Sequence, residues 1–298
     1  MYNIFRIASV VVPRLPRWLV PALANAFGFA AWLIARKARK QVTANMIHVL
    51  GPAVLSTRAG RGRLRRTVRG VFQNSARNYL EMFSLPYTPP EWIASHMDIE
   101  GVEHLEAALA LGRGVILFSA HFGPIDYLAQ WFSARGYQMT IPVERLKDQR
   151  ILDLITKLRS SQGIHFIPLG DSTAVRSIIL ALRKNQLVVI TADRAIEGES
   201  VEKPFFGEPA RLPIGAVSLS QRTGAPLVGA FGWHASSKRV GGHFVPLSLE
   251  LTEEERANPD TLMRALIERM ERYIKAHPEQ WVVFAPIWAT DPAKTSTS

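Results

Sequence analysis

The chain has 298 residues, no Cys and a formal net charge of +11. That length buries a full core, in one large domain or two. Without Cys there are no disulfides and no Cys-ligated zinc or iron–sulfur centres. The eight His stand in neither the His-Glu-x-x-His nor the His-x-x-Glu-His spacing, so no metal site is expected.

The charge is unevenly placed. Residues 1–80 hold 14 Lys or Arg and no Asp or Glu, whereas the other 218 residues carry 22 basic against 25 acidic side chains. A basic end of this kind suits a polyanion, either nucleic acid or an anionic membrane surface.

Trp18 to Ala35 is uncharged and apolar, with Arg14 and Arg17 before it and Arg36, Lys37, Arg39 and Lys40 after it. A full span needs about 20 apolar residues, and Pro21, Asn25 and Gly28 weaken this one. Trp18 and Trp32 stand near its ends, as interfacial aromatics do. Interfacial insertion, a true span and an ordinary buried helix all fit this stretch. No signal-peptide cleavage site stands out. Residues 61–83 predict a second helix: Leu64, Val68, Val71, Phe72, Tyr79 and Phe83 recur near helical spacing, and Arg61, Arg63, Arg65, Arg66 and Arg69 crowd its first turns. No nucleic-acid-binding motif accompanies that charge, so lipid headgroups are the expected partner and nucleic acid is not. Pro86 to Pro90 reads as a loop.

From Gly112 strands and helices alternate. The expected strands are Val115–Ala120, Gln138–Val143, Ile164–Pro168, Leu187–Ala192, Pro226–Trp233 and Gly242–Leu251. The expected helices are Pro124–Arg135, Gln149–Ser161, Thr173–Lys184, Ile214–Arg222 and one from Asn258 or Asp260 to Ala276. This pattern predicts an α/β fold with a mostly parallel, helix-covered sheet, preceded by the basic, hydrophobic helical region.

His121 then falls just after a strand, and Asp126 falls in the first turn of the next helix. On one continuous helix, residues five apart point about 140° away from each other. Across a strand-to-helix turn both can face the crevice above the carboxyl end of the sheet, where ligands bind in open α/β folds. A carboxylate holding one imidazole nitrogen leaves the other free to take a proton. No Ser or Cys stands in a nucleophile-elbow pattern, so a working pair would activate a substrate hydroxyl directly. A His after a strand is also a common satisfied turn residue. Glu144, Arg145, Lys147, Asp193 and Arg194 follow other strands at the same edge. Each alone reads as a solvated loop charge, but together they predict a shared rim whose cations could grip phosphates. The oxyanion donor is left open between backbone N–H groups around Phe122 and Gly123, and Arg194.

These residues resemble a known family. The ordered set runs Arg39-Lys-Gln-Val-Thr-Ala-Asn-Met, His121-Phe-Gly-Pro-Ile-Asp126, Glu144-Arg-Leu-Lys, Arg159-Ser-Ser-Gln-Gly163 and Asp193-Arg194. It continues through Phe205-Phe-Gly-Glu-Pro-Ala, Arg222-Thr-Gly-Ala-Pro-Leu-Val and His277-Pro-Glu-Gln-Trp281. Together they resemble the bacterial lysophospholipid acyltransferase superfamily, in the branch of lipid A late acyltransferases and phosphatidylinositol mannoside acyltransferases. The resemblance implies transfer of a fatty acyl group from acyl-CoA or acyl carrier protein to a glycolipid hydroxyl, at the cytoplasmic face of the bacterial plasma membrane. It implies no cofactor beyond that co-substrate. It makes His121 the general base and Asp126 its partner, with Glu144, Arg145, Lys147, Arg159, Asp193 and Arg194 as substrate-binding residues. Asp at the second motif position and Glu144-Arg-Leu-Lys resemble the mannoside branch. The expected organisation is basic membrane-associating helices over 1–85, an α/β acyltransferase core over 86–290 and a polar tail over 291–298. The rival reading is a basic membrane-surface or nucleic-acid-binding protein without chemistry.

Overall fold

The computed structural model describes residues 2–143, 148–160, 164–169, 172–195 and 198–288. The helices are α1 Tyr2–Val11, α2 Val20–Ile34, α3 Arg36–Leu50, α4 Arg58–Ser84, α5 Pro90–His96, α6 Val102–Leu109, α7 Ile125–Ala134, α8 Gln149–Arg159, α9 Ser172–Arg183, α10 Gly215–Thr223, α11 Glu253–Ala257 and α12 Pro259–Ala276. The strands are β1 Met97–Glu100, β2 Val115–Ser119, β3 Met139–Val143, β4 His165–Pro168, β5 Leu187–Thr191, β6 Ser200–Phe205, β7 Glu208–Pro213, β8 Leu227–His234 and β9 Val240–Pro246.

Seven strands form one sheet in the order β1-β9-β8-β2-β5-β3-β4, and β6 and β7 form a separate antiparallel hairpin. The large sheet is mostly parallel, as expected. The exception is β8 with β9, which pair antiparallel. Only residues 235–239 join them, too few for the crossover a parallel partner requires. The strand expected over Gly242–Leu251 starts at Val240 and stops at Pro246, where a 3-10 turn takes over. β1, α6 and the β6–β7 hairpin were not foreseen, because short edge elements carry little periodicity.

β2 is central and wholly buried, which explains its unbroken Val-Ile-Leu-Phe run. Ile116 and Phe118 face one layer, built from α3, the first half of α4, α9, α10 and α12. Val115 and Leu117 face the other, built from α6, α7 and the last turns of α4. The long helix α4 therefore serves both layers, and its middle turns pass the rim that follows β2. Thr57 caps α4 by accepting from the Gly60 N–H. α2 lies against α4 through Val20, Ala24, Gly28 and Trp32, one residue per turn. A Cβ at Gly28 would meet the Gln73 backbone at 2.4 Å, so glycine is what lets these helices approach.

Candidate active site

β2 and β5 are parallel neighbours, with Val115 opposite Leu187 and Ser119 opposite Thr191. The ladder continues one step further, where the Ala192 N–H donates to the Ser119 carbonyl at 2.8 Å. Two residues past each strand end, His121 and Asp193 therefore meet. His121 Nδ1 lies 2.9 Å from Asp193 Oδ1, and the His121 backbone N–H donates to Asp193 Oδ2 at 3.0 Å. Trp281 Nε1–H donates to the same Oδ2 at 2.7 Å. Asp193 is fully buried. Burial alone would raise its pKa, but the His121 imidazole and these donors outweigh it and hold the carboxyl below its ordinary value.

This pairing differs from the expected one. Asp126 sits in the first turn of α7, as expected, but it turns to α8. Arg159 meets it through Nε at 2.7 Å and Nη2 at 3.1 Å. The His121 partner in this structure is Asp193, which the motif reading had placed among the substrate-binding residues. A first-turn helix position aims its side chain along its own helix face, whereas Asp193 is delivered by the neighbouring strand.

The two backbone oxyanion candidates also turn inward. The Phe122 N–H donates to the Ala120 carbonyl at 2.7 Å, and the Gly123 N–H donates to the Gln280 carbonyl at 2.8 Å. Buried backbone donors are paired within the fold, here by Ala120 for Phe122 and by Gln280 for Gly123. Phe122 pairs with Trp281 as an antiparallel bridge, and the Val282 N–H donates to the His121 carbonyl at 2.9 Å. Gly123 and Arg194 both line the cavity, but the Gly123 N–H is already given to Gln280, so Arg194 remains as the oxyanion candidate. Glu144, Arg145 and Lys147 lie outside the described residues.

His121, Asp126, Arg159 and Arg194 all line one cavity of about 730 Å³, a volume within the usual range of ligand sites. Much of its wall is apolar, with Ile141, Val143, Ile155, Phe166, Ile178 and Ile190 contributed by β3, α8, β4, α9 and β5. So a His–Asp pair stands at the edge of an apolar chamber, with two Arg beside it. Nδ1 of His121 is committed to Asp193, which leaves Nε2 as the nitrogen able to accept a proton. No group of three or more metal-ligating side chains exists among the described residues.

Comparison with known proteins assigns this architecture. The family model for bacterial lipid A biosynthesis acyltransferases matches residues 3–290. The chain belongs to that family. This family member is 29% identical over 300 residues to a phosphatidylinositol mannoside acyltransferase of Mycobacterium tuberculosis (strain CDC 1551 / Oshkosh), covering 94% of this chain and 93% of the relative. It is 27% identical over 284 residues to the Mycolicibacterium smegmatis protein of the same name, covering 93% and 89%. A lipid A biosynthesis lauroyltransferase of Escherichia coli is 27% identical over 169 residues, covering 55% of this chain and 53% of the relative. The protein is thus an acyltransferase of glycolipid biosynthesis, which sets aside the reading without chemistry.

The motif reading singled out no role for Trp281, Asn78 or Gln280. Trp281 closes the His277–Trp281 stretch of the resemblance, so a signal for it was present. Asn78 Nδ2 donates to the Gly123 carbonyl at 2.9 Å, and nothing in its local sequence marks it.

Proposed function

We propose that this acyltransferase moves a fatty acyl group from a thioester, on CoA or acyl carrier protein, to a sugar hydroxyl of a membrane glycolipid of the phosphatidylinositol mannoside type. The observation that carries the reading is the His121–Asp193 pair at the edge of the apolar cavity. The acyl chain lies among the apolar residues of β3, α8 and α9. The acceptor hydroxyl attacks the thioester carbonyl, and its proton passes to His121 Nε2. The C–S bond then breaks, the thiolate takes that proton, and an ester and a free thiol leave. Asp193 holds the ring tautomer and favours the cation that forms. Arg194 stabilises the oxyanion, and Asp126 with Arg159 shapes the substrate entrance. The acceptor class rests on the Asp of the His-x4-Asp motif and on the mycobacterial relatives.

The reading includes a membrane surface rich in anionic lipid, at the cytoplasmic face. Arg17–Ile34 is long and apolar enough to cross a membrane, with a mean hydropathy of 1.3. It lies along α4, however, and α4 carries Arg58, Arg61, Arg63, Arg65, Arg66, Arg69 and Arg77. Taking that helix into hydrocarbon is very costly. α2 therefore rests in the interface, with Phe27, Leu33 and Ile34 facing lipid; these are 55%, 49% and 80% exposed. The test is incubation of the protein with labelled palmitoyl-CoA and a mycobacterial lipid extract. Label in a phosphatidylinositol mannoside supports the reading, and label only in other lipids overturns the acceptor class.

A further inference from the structure

The chain's first acidic residue is Glu81. It is also one of its most buried, with a side chain 4% exposed. It lies on α4 and meets His234 at the end of β8, whose Nε2 is 2.9 Å from Oε2 and 3.1 Å from Oε1. Arg77 Nε donates to Glu81 Oε1 at 2.7 Å. Burial opposes ionisation of Glu81, but His234 and Arg77 outweigh it and keep the carboxyl below its ordinary value.

The far side of His234 is turned to Gln280. Its Nδ1 lies 3.2 Å from Gln280 Oε1, and its backbone N–H donates to the same oxygen at 3.3 Å. Gln280 begins the stretch that clamps the catalytic turn. Its carbonyl takes the Gly123 N–H, and the Val282 N–H holds the His121 carbonyl. Between them, Trp281 reaches Asp193. α4 grips the same assembly at two more points on the same side, where Asn78 donates to the Gly123 carbonyl and Asn74 to the Glu279 carbonyl, each at 2.9 Å. Asn74, Asn78 and Glu81 are spaced to share one helix face.

A buried ion pair is poor value for stability alone, because desolvation offsets most of its attraction. Its directional bonds, in contrast, fix the orientation of whatever they touch. We propose that Glu81 and His234 are positioning residues, which hold Gln280 and through it set the His121 turn against Asp193. This inference rests on His121 acting as the base. A misplacement of about 1 Å can cost roughly 100-fold in rate, so a change in this pair far from the acyl chain should be read in kcat.

The experiment is a double-mutant cycle on the full chain, with labelled palmitoyl-CoA and a phosphatidylinositol mannoside fraction. His234→Phe keeps a ring but breaks both bonds. It should lower kcat by about 10- to 100-fold while KM for the donor stays within about two-fold. In the His121→Ala background the same change should cost less than about two-fold, because a residue acting through His121 has nothing left to position. Unchanged kcat in folded His234→Phe overturns the proposal. So does an equal loss in both backgrounds, which marks a purely structural role. If His234→Phe does not fold, Glu81→Gln keeps the volume and replaces it in the cycle under the same criteria. A His121→Ala protein with full turnover defeats the base assignment itself, an outcome separate from these.

Discussion

Asp193 reaches His121 across 72 positions of sequence, while Asp126, within the same motif, is held by Arg159. The proposed base and its carboxylate are therefore brought together from the ends of two strands. His121→Ala should lose about 10²- to 10⁴-fold in turnover, the usual worth of a general base, and keep its fold. Asp193→Asn removes the charge behind the imidazole and can select the wrong tautomer, so its loss should be of similar size. The double change should cost little more than the worse single one. Asp126→Asn should be milder in kcat and act mainly on KM, because it loosens Arg159 at the cavity wall. Steady-state kinetics of the four variants decide this. A larger kcat loss for Asp126→Asn than for Asp193→Asn would reverse the assignment.

Gly123 allows the turn that presents His121. Its φ is +60°, and a Cβ there would stand 1.9 Å from the Gly232 carbonyl oxygen of β8. Gly123→Ala adds backbone strain on the order of 1–3 kcal/mol and a clash that moves either β8 or the turn. It should lower the denaturation midpoint and activity together. Gly136, also at positive φ but with open space around it, should tolerate Ala with only the backbone strain and with normal kcat.

Two buried carboxylates make the fold sensitive to acid. Asp193 and Glu81 both lie below their ordinary values of 3.8 and 4.5. A depressed folded-state pKa contributes stability that is complete above the unfolded value and is lost as pH falls through the folded one. Urea midpoints should thus be flat down to about pH 5 and then drop steeply. Trp281→Phe deletes one donor to Asp193, at a cost of about 1.5–3 kcal/mol. It should bring that drop to higher pH. Coincident acid profiles for the two proteins would show that the indole does not support the carboxylate.

The exposed apolar side of α2, proposed to face lipid, can be changed without touching its contact with α4. Phe27→Ser, Leu33→Ser and Ile34→Ser leave Val20, Ala24, Gly28 and Trp32 in place. The triple variant should keep its melting temperature and bind anionic vesicles much more weakly. Added salt should weaken the wild type further, since the basic side chains lose their attraction as the Debye length shortens. Equal sedimentation of both proteins with vesicles would refute the interfacial placement.

The sequence by itself determined the local elements. The unbroken apolar run Val115–Ala120 reads as a buried strand, Gly123 and Pro124 mark the turn, and the spacing of Leu64, Val68, Val71 and Phe72 marks α4. These signals depend on neighbours within a few residues. The family was legible too, because its motifs lie in order along the chain. Which carboxylate serves His121 was decided by tertiary structure alone. It depends on β5 lying beside β2 and on a register that sets Ser119 opposite Thr191, and long-range hydrogen bonding fixes both. The same holds for Gln280 and Trp281, brought to the turn by the chain's return after α12. The inward pairing of the Gly123 N–H with Gln280 follows from that return. Residues so far apart in sequence become partners only when the sheet order is set, and sheet order is a property of the packed core rather than of any one segment.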